Sequence, residues 1–212
     1  MNIKYLGHAC FMMTSDTGTT IVTDPYDFTV GYNMPQINAD IVTVSHQHYD
    51  HNYTKAIDNE CTVISQIGEY EFKGIKITGI HTFHDDVNGH KRGNNIVFKI
   101  LIDGIDVCHC GDLGHTLEQK QIDAIGHVDI LMIPIGGTYT VDAKEAAIIV
   151  EQLKPQMVIP MHYKTPEINF DISGVDEFIN VTGNGEWINR NQMQITKGNI
   201  EHFRGVKVLN YK

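Results

Sequence analysis

The sequence has no apolar run long enough to span a bilayer. Its opening residues, MNIKYLGHACFMM, lack the basic start, long apolar core and small-residue cleavage site of a secretory signal. Their alternation is typical of a first β-strand instead. We therefore expect a cytoplasmic protein that has no membrane partner.

Cysteine is scarce and unpatterned. None of the four cysteines belongs to a C-x-x-C pair, and their spacing is not that of a zinc ribbon. Cytosolic proteins rarely hold disulfides, and free cysteine is among the most buried residue types. The prediction is therefore a set of buried, reduced thiols at Cys10, Cys61, Cys108 and Cys110.

Basic residues are also few: 16 Lys and Arg stand against 26 Asp and Glu, and the formal net charge is −10. Because phosphate binding depends on clustered Lys and Arg, no nucleic-acid partner is expected. A small anionic substrate remains compatible, since metal ions supply local positive charge. Twelve histidines indicate metal ligation. Nothing in the composition excludes an oligomer.

The 212 residues contain no linker, repeat or charge block, which predicts one domain over residues 1–212. Short β-branched runs predict many strands, and Asp103-Gly104 predicts a hairpin between Asn95–Ile102 and Ile105–Cys110. Helices are predicted mainly in the second half. The first begins at a capping box in Thr116–Gln119 and runs to about Ile125, and others follow Asp142 and near Val175–Asn180. Two sheets covered by helices, an α/β (α+β) class, fit this pattern.

One segment concentrates metal-binding side chains: His46-Gln47-His48-Tyr49-Asp50-His51, directly after the apolar run Ile41–Val44. Side chains repeat every second residue in an extended segment, so His46 and His48 point the same way and can grip one ion. Asp50 and His51 follow a turn and can reach a second ion. Imidazole suits zinc, and carboxylate suits harder ions such as manganese.

The pattern H-x-H-x-D-H resembles the signature of the metallo-β-lactamase superfamily. Four further parts of that signature appear in order along the chain: Asp24 after an early strand, His84 after a mid-chain strand, Asp112 in a strand–Gly–Asp turn, and His162 after a late strand. The chain is most similar to a branch of metal-dependent hydrolases related to L-ascorbate-6-phosphate lactonase. Leu6-Gly7-His8, Gly111–His115, Ile133–Thr140 and Pro160–Tyr163 carry this likeness.

The resemblance implies a four-layer αββα sandwich and a site for two divalent metal ions, zinc or manganese. One ion would be held by His46, His48 and His84, and the other by Asp50, His51 and His162. Asp112 would bridge the two ions. Asp24 would order the ligand loop from outside by accepting its hydrogen bonds.

Several assignments stay open at this stage. His81 is the alternative to His84, which we favour because it begins the loop after the predicted strand Ile75–Ile80. His8 and His115 are candidates to contact substrate, to ligate metal or to pack. Gly136 and Gly137 either offer backbone N–H groups to an anion or form a tight strand–helix turn. Tyr139 is a candidate for lining the same opening, whereas His109 is expected to be a hydrogen-bonded core histidine.

The expected activity is hydrolysis of a small-molecule ester or lactone by a metal-bridging hydroxide. Asp50 would be the catalytic residue that orients this nucleophile or carries its proton. The alternatives are a phosphodiesterase acting on a small nucleotide and a non-catalytic, metal-bound ligand sensor. A flavin-linked diiron role is disfavoured, because such relatives carry Glu where this chain has His48, together with a flavin domain. No G-x-S-x-G motif indicates a serine route.

Overall fold

In the computed structural model, which describes residues 1–211, two β-sheets pack face to face. The first sheet has six strands in the order β13-β1-β2-β3-β4-β5. Their bounds are β1 Asn2–Gly7, β2 Cys10–Thr14, β3 Thr20–Thr23, β4 Ile41–Thr43, β5 Thr62–Ile64 and β13 Gln192–Gln194. The many strands predicted from short β-branched runs are thus present in this part of the chain, and the apolar run before the histidine motif forms β4.

The second sheet has eight strands in the order β12-β14-β11-β10-β9-β8-β7-β6. Their bounds are β6 Gly68–Phe72, β7 Ile75–Phe83, β8 Asn94–Ile102, β9 Ile105–His109, β10 Ile130–Pro134, β11 Met157–Met161, β12 Glu186–Ile188 and β14 Gly205–Leu209. The hairpin between β8 and β9 is confirmed. Asp103 and Gly104 both have positive φ, as the two-residue turn that matches strand twist requires.

Three α-helices are present in the described chain: α1 Gln119–Ile125, α2 Ala143–Leu153 and α3 Val175–Thr182. The predicted cap of α2 is confirmed, since the Asp142 carboxylate accepts from the N–H groups of Lys144 and Glu145. The predicted start of α1 is wrong by two residues, because the capping box predicted Thr116 as the capping residue. Its capping residue is Glu118, because the N–H and C=O of Leu117 bond the Gln152 side chain and keep that residue out of the helix.

The main core lies between the sheets and continues under the helices. Alternation along the strands builds it, because Ile3, Tyr5 and Phe11 point into the sandwich while Leu6 and Cys10 reach a separate cluster on the outer face of the first sheet. Helices α1 and α2 contact β7 and β10 of the second sheet. The outer cluster of the first sheet is instead covered by the segments that contain Tyr26–Ala39 and Ile168–Ile172.

Strand direction brings the sequence motifs together. The pairings make β1, β3 and β4 run the same way in the first sheet, and β7, β9, β10 and β11 run the same way in the second. The carboxyl ends of these strands therefore meet at one edge of the sandwich. His8, Asp24 and the segment 45–51 leave the first sheet there, and His84, Asp112 and His162 leave the second.

Within residues 1–211, no helix is both long enough and apolar enough to cross a membrane. All four cysteines are free, and Cys10, Cys108 and Cys110 are buried as predicted, whereas Cys61 is only partly buried.

Candidate metal centre

Three of the site residues turn the chain sharply where their strands end. His8, Asp24 and His162 have φ values of 56°, 40° and 50°, in the left-handed region that non-glycine residues adopt rarely. Such conformations persist where the surroundings hold them, and they cluster at functional sites. Here each turn directs a buried polar side chain back toward the edge of the sandwich.

The first ligand group consists of His46, His48 and His84, whose ring nitrogens lie within 4.8 Å of one another. His46 and His48 share a face as their spacing predicted, with ring centroids 4.6 Å apart. The structure brings His84 and not His81 to this group. Strand β7 extends to Phe83, so His81 lies within the strand on its exposed side, where its Nε2 is 3.1 Å from the Asn94 side-chain oxygen.

The second ligand group adds a residue to the three expected: His8 joins Asp50, His51 and His162. The His8 side chain is fully buried, and its Nε2 lies 3.1 Å from His51 Nε2 and 3.3 Å from Asp50 Oδ2. Its ring centroid is 4.4 Å from that of His162. His8 therefore sits among the ligand atoms and not at the mouth of the cleft.

Asp112 lies between the two groups. Its Oδ2 is 3.2 Å from the Nε2 atoms of both His51 and His84, 3.4 Å from that of His162 and 3.8 Å from that of His46. Asn95 supports this turn, because its side-chain oxygen accepts from the Asp112 N–H and its amide donates to the Cys110 carbonyl. One carboxylate oxygen thus faces both groups at once.

Asp24 sets the tautomers of two ligands from outside the centre. Its carboxylate accepts from the Ser45 N–H, from the Ser45 hydroxyl at 2.6 Å and from His51 Nδ1 at 2.9 Å. Since the Ser45 hydroxyl donates to Asp24, it accepts from His46 Nδ1, which is 2.9 Å away. Both His46 and His51 therefore carry a hydrogen on Nδ1 and turn Nε2 toward the centre.

The protonation states of the residues in the centre favour a bound cation. Burial, reinforced by neighbouring histidines, lowers the pKa of His8 to about 4 and that of His46 to about 3, so both rings are neutral ligands at pH 7. Burial opposes charge on His51 as well, but Asp112 and Asp24 outweigh it and hold the pKa of His51 well above its usual range. Either a proton or a metal ion must lie between His51 Nε2 and Asp112.

Unpaired buried atoms test whether a metal fits. His46 Nε2 and Asp112 Oδ1 are buried without a hydrogen-bond partner in the protein. Leaving such groups unsatisfied costs about 1–3 kcal/mol each. A cation coordinated by imidazole nitrogen and carboxylate oxygen satisfies them, and the donor set suits zinc and manganese. The residues present therefore fit a metal centre.

Gly136 allows the chain to close behind this centre. A Cβ at this position would stand 2.4 Å from the His162 carbonyl oxygen, which real Cβ atoms do not approach. The Gly137 N–H donates to the Val141 carbonyl. Gly136 and Gly137 thus form the tight strand–helix turn, the second of the two readings open from the sequence, and place β10 against the ligand loop.

A cavity of about 380 Å³ opens over the centre. Tyr139 lines it as expected, together with Tyr49, Phe170 and Arg92. His115 does not line it. Its Nε2 accepts from the Phe83 N–H and its Nδ1 bonds the Thr116 carbonyl, so both ring nitrogens are engaged by backbone. Of the three roles left open for His115, these contacts favour packing.

Three supporting residues escaped the sequence reasoning. Ser45 precedes the motif and Asn95 lies inside a strand, so neither stands out by pattern. Asp85 follows His84, and its buried carboxylate accepts from the N–H groups of four residues of one loop: Val87, Gly89, Lys91 and Arg92. Burial raises its pKa, yet these four bonds outweigh it and lower the pKa to about 2. His109, by contrast, is the expected core histidine, buried and bonded to the Ala9 carbonyl.

Comparison with known proteins gives one consistent family. Residues 2–162 match the family described as Beta-lactamase superfamily domain, and this range includes all the candidate ligands named above. A UPF0173 metal-dependent hydrolase of Methanoregula boonei is 31% identical over 191 residues, covering 79% of this chain and 84% of that protein. The corresponding protein of Thermococcus onnurineus is 29% identical over 193 residues, with coverages of 78% and 85%.

A crystal structure from Thermotoga maritima matches along almost the whole chain. That protein is assigned as a Zn-dependent hydrolase of the metallo-beta-lactamase superfamily. The two chains are 39% identical, superpose with a TM-score of 0.82, and cover 98% and 97% of each other. This likeness supports the two-sheet sandwich expected from the sequence.

Proposed function

Because the chain belongs to the metallo-beta-lactamase superfamily of metal-dependent hydrolases, we propose that it cleaves the ester or lactone bond of a small molecule with two divalent metal ions, zinc or manganese. The single observation that carries the two-ion proposal is the position of Asp112 Oδ2 between two separate ligand groups. One ion would be held by His46, His48 and His84. The other would be held by His8, Asp50, His51 and His162, with Asp112 shared.

Such ions, when bound, lower the pKa of a water molecule toward neutrality and polarise the bond under attack. The side chains around the cavity would accept the proton and exclude bulk water. Asp50 borders the cavity and is ionised, because hydrogen bonding to His8 and the charge of His51 outweigh burial and lower its pKa. It is thus placed to accept the proton lost by the attacking water. Tyr139 and Phe170, with ring centroids 6.0 Å apart, exclude bulk water from one side of the cavity.

The size and polarity of the cavity support a small carbonyl substrate. About 380 Å³ lies within the range of small-molecule sites, and Tyr49, Tyr139 and Phe170 contribute aromatic rings to its walls. The net charge of −10 disfavours a polynucleotide. The sequence likeness to relatives of L-ascorbate-6-phosphate lactonase supports a lactone among the esters.

A substrate panel tests this proposal. We expect zinc- or manganese-loaded protein to hydrolyse 4-nitrophenyl acetate or γ-butyrolactone, and chelated protein to lose that activity and regain it when metal is restored. Bis(4-nitrophenyl) phosphate is the rival substrate in the same assay. Hydrolysis of the phosphodiester alone would contradict the ester proposal, and two bound ions without turnover of any probe would favour a ligand sensor.

His8 is expected to hold the second ion. In a His8→Ala variant we expect the first ion to bind as before and the second to bind at least about 10-fold more weakly, since losing even a supporting partner of a ligand costs 10- to 100-fold. Isothermal titration of the metal-free protein with zinc or manganese measures both affinities without reference to turnover.

The matched control is His81→Ala, which removes an exposed histidine of the neighbouring strand. Its two affinities should equal those of the parent protein. Two unchanged affinities in His8→Ala would remove His8 from the ligand set.

A further inference from the structure

Arg92 stands where two cavities meet. A second cavity of about 580 Å³ adjoins the one over the metal centre, with the side chains of Ser65, Gln66 and Asn94 in its wall. His48 and Arg92 line both cavities. Among the described residues that line either one, Arg92 is the only lysine or arginine, in a chain whose net charge is −10.

The guanidinium of Arg92 is held but not neutralised. Its Nη2 donates to the Thr138 carbonyl at 2.7 Å, and its central carbon lies 5.6 Å from the centre of the Tyr139 ring. A guanidinium has five N–H donors, so one such bond leaves the fork available. Within residues 1–211, no carboxylate lies at ion-pair distance from it. Its positive charge is therefore open to a ligand.

The loop that carries Arg92 is formed before any ligand arrives. The buried Asp85 carboxylate accepts from four N–H groups of this loop, including that of Arg92 at 2.7 Å. The loop also closes on itself, because the Gly93 N–H donates to the Gly89 carbonyl and the His84 N–H donates to the Gly93 carbonyl. Backbone and side chain of Arg92 are thus anchored separately, which lowers the entropy lost on binding.

We propose that Arg92 binds a carboxylate or phosphate group of the substrate, so that the bond cleaved at the metal centre belongs to an anionic molecule. This inference rests on the proposed hydrolase function and names the substrate class for it. The planar fork of arginine matches the oxygens of both anions. With the anionic group at the junction of the cavities, one end of the molecule lies over the metal ligands and the other extends along the polar wall of the second cavity.

The test compares a neutral ester with an anionic one. The probes are 4-nitrophenyl acetate and 4-nitrophenyl hydrogen succinate, which carries a free carboxylate. In Arg92→Gln we expect the KM for the succinyl ester to rise roughly 10- to 100-fold, the scale of a lost charge-assisted hydrogen bond. The KM for the acetyl ester should stay within about twofold, because that probe has no group for Arg92 to bind.

Two further variants separate recognition from loop structure. Lys91→Gln removes the same charge from the adjacent residue, whose side chain is exposed and paired with Asp86, and should change neither KM. Arg92→Lys keeps a charge without the fork and should give an intermediate KM for the succinyl ester. Equal effects of Arg92→Gln on both esters would show a loop defect and overturn the proposal.

A binding measurement keeps this test separate from turnover. Succinate and inorganic phosphate are titrated into metal-loaded protein, and each source of anion is scored alone. We expect binding of at least one to weaken about 10-fold or more in Arg92→Gln. Arg92-dependent binding without ester turnover would support Arg92 while sinking the ester proposal. If the protein hydrolyses esters but the parent and Arg92→Gln bind the anions with equal affinity, the Arg92 proposal alone would be overturned.

Discussion

An Asp112→Asn variant should bind metal at least about 100-fold more weakly than the parent protein. Loss of a residue that only hydrogen-bonds a ligand costs about 10- to 100-fold in metal affinity, and loss of a direct ligand should cost more. In the parent protein, the Asp112 Oδ2 lies within 3.4 Å of the Nε2 atoms of His51, His84 and His162. An amide keeps the shape but loses the charge that attracts a cation to both groups. We also expect the rate of hydrolysis to fall by roughly 1,000-fold or more. Losses of this size are typical when one of several residues that act together in catalysis is removed.

Metal content after dialysis and kcat/KM on the responsive ester measure the two effects. Asp123→Asn is the control, because that carboxylate lies exposed on α1, away from the centre, and accepts a hydrogen bond from the Gln119 side chain. It should retain metal and activity. The thermal midpoint of metal-free Asp112→Asn shows whether the variant is folded. A folded Asp112→Asn that holds two ions at the parental affinity would refute the shared-ligand arrangement.

Replacing Asp24 by Ala should produce the largest loss of stability. The carboxylate is fully buried and accepts three hydrogen bonds, from the Ser45 N–H, the Ser45 hydroxyl and His51. Removing one partner of a buried charged pair costs about 3–5 kcal/mol, because the remaining groups are left without compensation. Metal affinity should also fall, by roughly 10- to 100-fold, since the tautomers of His46 and His51 are no longer set.

Urea unfolding of the metal-free protein measures the first effect, and metal titration measures the second. Ser45→Ala provides a graded comparison, because it removes only the hydroxyl that links Asp24 to His46. We expect it to cost about 1 kcal/mol, the usual net value of one hydrogen bond. If Asp24→Ala unfolded at the parental urea concentration, the buried carboxylate would not be the support that its contacts indicate.

Sequence reasoning went furthest where pattern and topology agree. Strand alternation predicts that His46 and His48 share a face, and the order of the motifs matches the strand ends that the sheets bring together. His84 could be preferred over His81 only by its place after a strand. The strand proved three residues longer, yet the preference holds because His81 then falls on its exposed side.

What the sequence left open or missed depends on the backbone and on distant partners. His8 joins the second ligand group because the chain turns left-handed immediately after β1, which residue type alone does not predict. Strands β6, β12 and β13 were missed because they are short and largely exposed, so each carries few apolar residues. The Arg92 side chain is positioned by its hydrogen bond to the Thr138 carbonyl, which lies 46 residues further along the chain.

The division of the ligands between the two sheets also has a consequence in time. His8, His46, His48, Asp50 and His51 belong to strand ends of the first sheet, whereas His162 lies 111 residues beyond His51 and leaves the second sheet. A ribosome making this chain would therefore release the first five ligands well before the last. Metal that is captured tightly only by the full set adds its binding free energy after the sheets have closed on each other. The ions would then stabilise the packed sandwich late in folding and slow its unfolding, without guiding the early steps of folding.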